Sequence, residues 1–139
     1  MTDINYTTIE QSKHLLELGL NPDSADMFYF LDPTPAGNIY HLTVINEYNR
    51  KPEYDKGDIP CWSIGALINS MPKYMKSGEN YFELMIIPFY PVVKYYNEST
   101  KTYMESKMGA SLMEAAIKMA ERLLECKSTY LKDNSNNMI

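Results

Sequence analysis

Ser111-Leu-Met-Glu-Ala-Ala-Ile-Lys-Met-Ala-Glu-Arg-Leu-Leu-Glu-Cys-Lys-Ser-Thr-Tyr-Leu131 decides how the rest of the chain is read. Ser111 and Glu114 stand at capping-box spacing, which starts a helix. Leu112, Ala116, Met119, Ala120, Leu123, Tyr130 and Leu131 form one apolar stripe, while Glu114, Lys118, Glu121 and Glu125 cover the opposite face. The spacing predicts a helix over 111–131. A helix of that length covers about 30 Å, the width of a small domain, and needs a broad apolar surface to lie on.

The segments before it supply such a surface. Tyr81 to Ile87 alternates as a strand, with Phe82, Leu84 and Ile86 inward and Glu83 outward. Pro88-Phe-Tyr-Pro91 turns the chain and Val92 to Tyr96 returns it. Asn97-Glu-Ser-Thr turns it again into a short strand over 101–105. Tyr95, Tyr96 and Tyr103 then suit cross-strand aromatic pairing. Further out, Pro60 to Met71 reads as a largely buried helix, with Ile64, Leu67, Ile68 and Met71 at i, i+3, i+4 and i+7. Asn38 to Ile45 carries apolar residues on both faces and is expected centrally in a sheet. Met27 to Leu31 is a short strand ended by Asp32-Pro-Thr-Pro-Ala-Gly37. Thr8 and Gln11 open a first helix that Gly19 stops, and Asn21-Pro-Asp-Ser begins a short extra turn. The order is helix, two strands, helix, two or three strands, helix. It predicts an α+β domain over 1–131, with an antiparallel sheet of four or five strands, helices on one face, and a disordered tail over 132–139.

Composition narrows the function. The chain has 139 residues, so one domain is expected. Lys plus Arg number 13 against 18 Asp plus Glu, for a net charge of −5, which argues against a dedicated nucleic-acid binder. The longest nearly apolar run, Leu84 to Val93, is ten residues and holds two prolines, whereas a membrane helix needs about 20. The N-terminus has neither the basic start nor the apolar stretch of a signal peptide. Cys61 and Cys126 lie 65 positions apart in no metal or redox motif. The expected setting is a reduced cytoplasm, with both thiols free and no membrane contact.

Chemistry is sparse. His14 sits among charged neighbours on the first helix. His41, inside a strand, is the one centre around which a small enzyme can be imagined, with nearby carboxylates or with Cys61 as nucleophile. No local cation activates Cys61, however. Glu53, Asp55 and Asp58 miss the calcium-loop pattern, no histidine or cysteine pair has metal-ligand spacing, and no glycine-rich phosphate cradle occurs. No metal, cofactor or catalytic residue is assigned. The 46–59 loop is longer and more polar than connectivity requires. It carries Tyr48 and Tyr54 and runs into Trp62, the only tryptophan. These three are the candidate binding residues, where a loop and an aromatic platform would meet a host protein or a small ligand. Tyrosine, with 12 copies in the chain, suits adaptable contacts. The first expectation is therefore a non-enzymatic binding or interaction protein. A structural or virion-associated self-assembling protein and the His41 enzyme are the alternatives, and a homodimer is compatible with the first two.

Several blocks also look alike to known sequences. Ile9-Glu-Gln-Ser-Lys13 with Leu16 to Gly19, Ser24-Ala-Asp-Met27, Cys61-Trp-Ser-Ile-Gly-Ala-Leu67 with Met71-Pro72, and Ala115 to Leu124 together resemble a family of small uncharacterised proteins. Prophages, phages and mobile elements of gut bacteria of the Bacteroides group encode them. The W-S-x-x-A-L segment is the most specific piece, and the 46–59 loop and Tyr95 to Gly109 fall outside the resemblance. It implies context alone: an accessory protein of a phage or mobile element acting inside a bacterial cell.

Overall fold

Helix α1 (Ile9–Leu18) begins as its sequence directs. In the computed structural model, which describes residues 4–126, Thr8 Oγ1 accepts from the Gln11 amide and Gln11 Oε1 accepts from the Thr8 amide. Gly19 ends the helix at φ 104°, a conformation that costs glycine nothing. A 3-10 turn, Pro22–Ser24, follows under an Asn21 cap. The chain then forms strands β1 (Met27–Thr34), β2 (Gly37–Val44) and β3 (Ile59–Cys61), helix α2 (Ile64–Asn69), strands β4 (Tyr74–Ser77), β5 (Asn80–Ile87), β6 (Val92–Asn97) and β7 (Thr102–Met108), and helix α3 (Leu112–Glu125).

The class is α+β, with antiparallel pairing throughout, but the strands divide. Two sheets form where one of four or five strands was expected: three strands ordered β2-β1-β3 and four ordered β4-β5-β6-β7. Helix α2 and the switch into β4 separate them. Strand β2, expected to be central, is an edge. Neither of its faces is fully buried, as Ile39 on one is 47% and Val44 on the other 51% exposed. Strand β1 runs on through Pro33. That proline is tolerated because β3 pairs only with Met27–Tyr29, so no neighbour needs its missing N–H. Ile59, expected as the end of the loop, and Pro60 and Cys61, expected as the first turn of a helix, form a strand, and Ser63 is the true cap, accepting from the Ala66 amide.

The core lies between the four-stranded sheet and the helices. Met75, Phe82, Val93 and Tyr95 point inward and meet Met113, Ala116, Met119, Ala120 and Leu123 of α3. Leu15 and Leu20 from the α1 region, Leu67 and Met71 from the α2 region, and Trp62 close the same core. Ala115, Ala116 and Ala120 have no exposure at all, so small side chains let α3 approach closely. The buried Tyr95 hydroxyl donates to the Pro72 carbonyl at 2.7 Å. Arg122 of α3 pairs with Glu105 of β7 at 2.9 Å. The stripe predicted for 111–131 is followed as far as Cys126. Tyr130, Leu131 and the tail expected to be disordered lie outside the described residues. No helix among the described residues is long and apolar enough to cross a membrane.

Candidate functional site

The 46–59 loop has a built interior. Asn46 starts it by accepting from the Tyr48 and Asn49 amides, at 2.8 and 2.9 Å. Asn49 turns back and donates through Nδ2 to the Val44 carbonyl at 3.0 Å. The far end is held by Asp58, whose side chain is only 4% exposed. Its carboxylate accepts from the Leu31 amide at 3.0 Å, the Glu53 amide at 2.8 Å and Arg50 Nη1 at 2.9 Å. Burial works against the charge on Asp58, but the bonds from Arg50, Leu31 and Glu53 outweigh it and hold the carboxyl below its ordinary value. The loop therefore wraps the edge of β1 beyond the point where β3 stops.

Arg50 reaches from this loop across one face of the small sheet. Its guanidinium lies 4.4 Å from the Phe30 ring centre and 5.6 Å from that of Phe28. Phe30 in turn stacks with its strand partner His41, at 5.8 Å between ring centres. His41 Nε2 lies 3.2 Å from Asp32 Oδ2 on the same face. Phe28, Phe30, His41, Thr43, Asn49 and Arg50 thus border an open groove of about 510 Å³. Cation–π contact, a stacked imidazole, one hydroxyl and one amide can all meet a side chain laid into it.

The groove runs beside the free edge of β2, and the pairing register gives that edge a definite pattern. Ile45 N donates to Asp26 across the hairpin, whereas the Val44 carbonyl is met from outside by Asn49. Antiparallel ladders alternate with a period of two. The backbone groups of Asn38, Tyr40 and Leu42 therefore point the same way as those of Val44, away from β1. No described strand lies on that side.

The three residues singled out by sequence do not converge. Tyr48 is 86% exposed at the loop's tip. Tyr54 is half-buried, and burial, with Asp23 and Asp58 nearby, pushes its phenol up to about 12. Trp62 is wholly enclosed, with 0% exposure, and its indole N–H donates to Ser24 Oγ at 2.9 Å. It closes the core and presents no stacking face, because the loop ends one strand before it. The residues that sequence reasoning missed are Phe28, Phe30, Asn49 and Arg50. The available signal was alternation: Phe28, Phe30 and Asp32 share one face of β1, which antiparallel pairing sets beside His41 and Thr43.

The imagined Cys61–His41 pair does not form. Cys61 pairs with Met27, on the face opposite Phe30 and His41. Its thiol is fully buried and donates to the Thr7 carbonyl at 3.2 Å, and burial pushes it up. His14 sits on the surface 3.2 Å from Glu121. Among the described residues no three His, Cys, Asp or Glu side chains come together as a metal-binding group. Comparison with family models, with curated proteins and with solved structures finds nothing that matches this chain.

Proposed function

We propose that the protein is a non-enzymatic interaction module that takes an extended segment of a partner protein as an added strand along β2. The observation that carries this reading is the run of outward backbone groups at Asn38, Tyr40 and Leu42 beside the Phe30–His41–Arg50 groove. In strand addition the main-chain bonds supply affinity, and pockets for alternate side chains supply selectivity. An exposed edge of this length is a liability unless blocked or used. Here, among the described residues, only its Val44 end is capped, by Asn49. The groove favours an aromatic or apolar side chain: Arg50 is already paired with Asp58, and the nearby carboxylates Asp32 and Glu53 disfavour an acidic one. The resemblance to proteins of phages and mobile elements supports an accessory role in the cytoplasm of a Bacteroides-type host, with a host protein as the partner.

The test is selection of displayed random peptides against the immobilised full chain. Binding of an enriched peptide is then followed at individual amides by NMR. The Tyr40 and Leu42 amides should become protected from exchange, while those of Ile39 and His41, already paired to β1, change little. Leu42→Pro removes one outward donor and should weaken the peptide at least tenfold with the fold retained. Equal binding to this variant, or no enriched peptide, sinks the reading.

A further inference from the structure

The four-stranded sheet has two faces, and α3 covers only one. The other carries a register row across all four strands: Tyr74 beside Glu83, Glu83 beside Tyr96, Tyr96 beside Tyr103. Tyr81 stands next to it with Lys76 5.6 Å from its ring centre, and Lys94 lies 4.7 Å from that of Tyr96. Met85 and Met108 continue this face, and Phe89 and Tyr90 stand at the end of the β5–β6 hairpin. Tyr74, Tyr81, Phe89, Tyr90, Tyr103 and Met108 are between 56% and 95% exposed. At ~150–250 Å² for each large aromatic, these six side chains offer roughly 800 Å². That equals what one partner contributes to a standard stable interface, ~800 Å².

We infer that this face is the interface of a two-fold homodimer, in which the uncovered sheets of two copies pack against each other. The charges select a second copy over other occupants. Glu83 stands in the middle of the tyrosine row, and Glu79 and Glu98 rim the hollow beside it. Carboxylates there repel phosphate, which disfavours nucleic acid and an anionic membrane. The same face carries Lys94 on the strand adjacent to Glu83. A two-fold axis lying between the two sheets, crossing the strands obliquely and passing midway between Glu83 and Lys94, places the Glu83 position of one copy over the Lys94 position of the other. Each Glu83 then meets Lys94 of the second copy, twice over, inside a frame of tyrosines. A face bearing one sign of charge would repel its own copy. This one is self-complementary. The inference is independent of the strand-addition reading, which concerns the other sheet.

Sedimentation equilibrium of the full chain from 5 to 300 µM tests it, with parallel titrations of a fluorescent single-stranded dT20 and of anionic vesicles. The expected result is a monomer–dimer equilibrium with a midpoint near 10 µM or below. Glu83→Lys and Lys94→Glu should each weaken it at least tenfold, and the double exchange E83K/K94E should return it to within about threefold of the parent. Tyr103→Glu should also dissociate the dimer, with an unchanged circular dichroism spectrum. A monomer throughout the range overturns the inference, with or without binding of dT20 or vesicles. So does a dimer indifferent to all these substitutions.

Discussion

The two sheets are held by different forces. The four-stranded sheet is joined to α3 by apolar burial, with Met75, Val93 and Tyr95 wholly enclosed. The three-stranded sheet contributes Phe28, Ile59 and Cys61 as buried apolar residues, and none of them belongs to the main core. Directed polar bonds do the rest: Asp58 to Leu31 and Glu53, Asn49 to Val44, Tyr29 to the Thr7 carbonyl, Asp26 to Ser63. Apolar burial is non-directional and shared by all its members, so it is lost all at once. A polar pin can open alone and let go of one segment. The lesson is that stability and adaptability are divided between the sheets. The sheet that the main core does not reach is the one with the groove and the free edge.

The largest expected effect challenges the first half of this contrast. Leu123→Ala should cost ~2–5 kcal/mol in urea unfolding, since its side chain is 1% exposed in the middle of the core. The loss should appear equally in Trp62 fluorescence and in the slowest amides of both sheets. A cost below ~0.5 kcal/mol would mean that α3 is not what holds the large sheet.

Asp58→Ala probes the second half. It leaves the Leu31 and Glu53 amides without their acceptor and should cost ~2–3 kcal/mol. That cost should be local: exchange at Leu31 and Glu53 accelerates while Val93 and Tyr95 stay slow. The same carboxylate gives a pH signature. Because its folded value lies below the ordinary 3.8, its contribution is complete above that value and disappears as pH falls through the folded one. Loop opening measured by exchange should therefore be flat from pH 7 to about 5 and rise below about 4. The alanine variant should lack this dependence.

Gly57→Ala is a smaller test of the same region. Gly57 has φ +105°, and a Cβ there would stand 2.6 Å from Leu31 Cδ2. The substitution should cost ~1–2 kcal/mol, part of it conformational and part steric. In a Leu31→Ala background only the conformational part, ~1 kcal/mol, should remain; full additivity would show that the loop does not rest on β1. Smallest of all is a difference in rate. Iodoacetamide at pH 8 should alkylate Cys126, which is half-buried, well before Cys61, which is enclosed. Both should titrate as free thiols once the chain is denatured.

The parts legible in the sequence are those in which a local rule acts alone. Thr8 with Gln11 and Ser111 with Glu114 mark helix starts because a cap is satisfied within four residues. The β5–β6–β7 meander follows from alternation and short turns. Strand β3 escaped because three residues carry no period, and Pro60 before an apolar run imitates a helix start. Strand β4 escaped because Tyr74–Ser77 is short and half polar; it is fixed by pairing with β5 around a turn in which Gly78 takes φ 63°. The division into two sheets was not readable, since turn length says which strands are adjacent and not where a sheet ends. At the candidate site the 46–59 loop was visible by its length. Arg50 was not, because its value lies in Phe28, Phe30 and Asp58, which only the fold brings to it.

The bonds at Thr7 bear on the order in which the molecule assembles. The Thr7 hydroxyl accepts from the Trp62 amide, and its carbonyl receives both the Tyr29 hydroxyl and the Cys61 thiol. Closing that seam joins residues 55 apart, with a chain-entropy cost of roughly 3–4 kcal/mol. The β5–β6–β7 meander needs only near neighbours, and α3 meets β6 and β7 just behind it in sequence; contacts of that kind form fast. The segment synthesised first is thus among the last to be fastened. On the ribosome, residues before Trp62 emerge without the sheet and helix that make their core. A pause placed after residue 70 would leave the Tyr6–Ser63 and Thr7–Trp62 seam unfastened and Trp62 uncovered, waiting for the second half of the chain to enclose it.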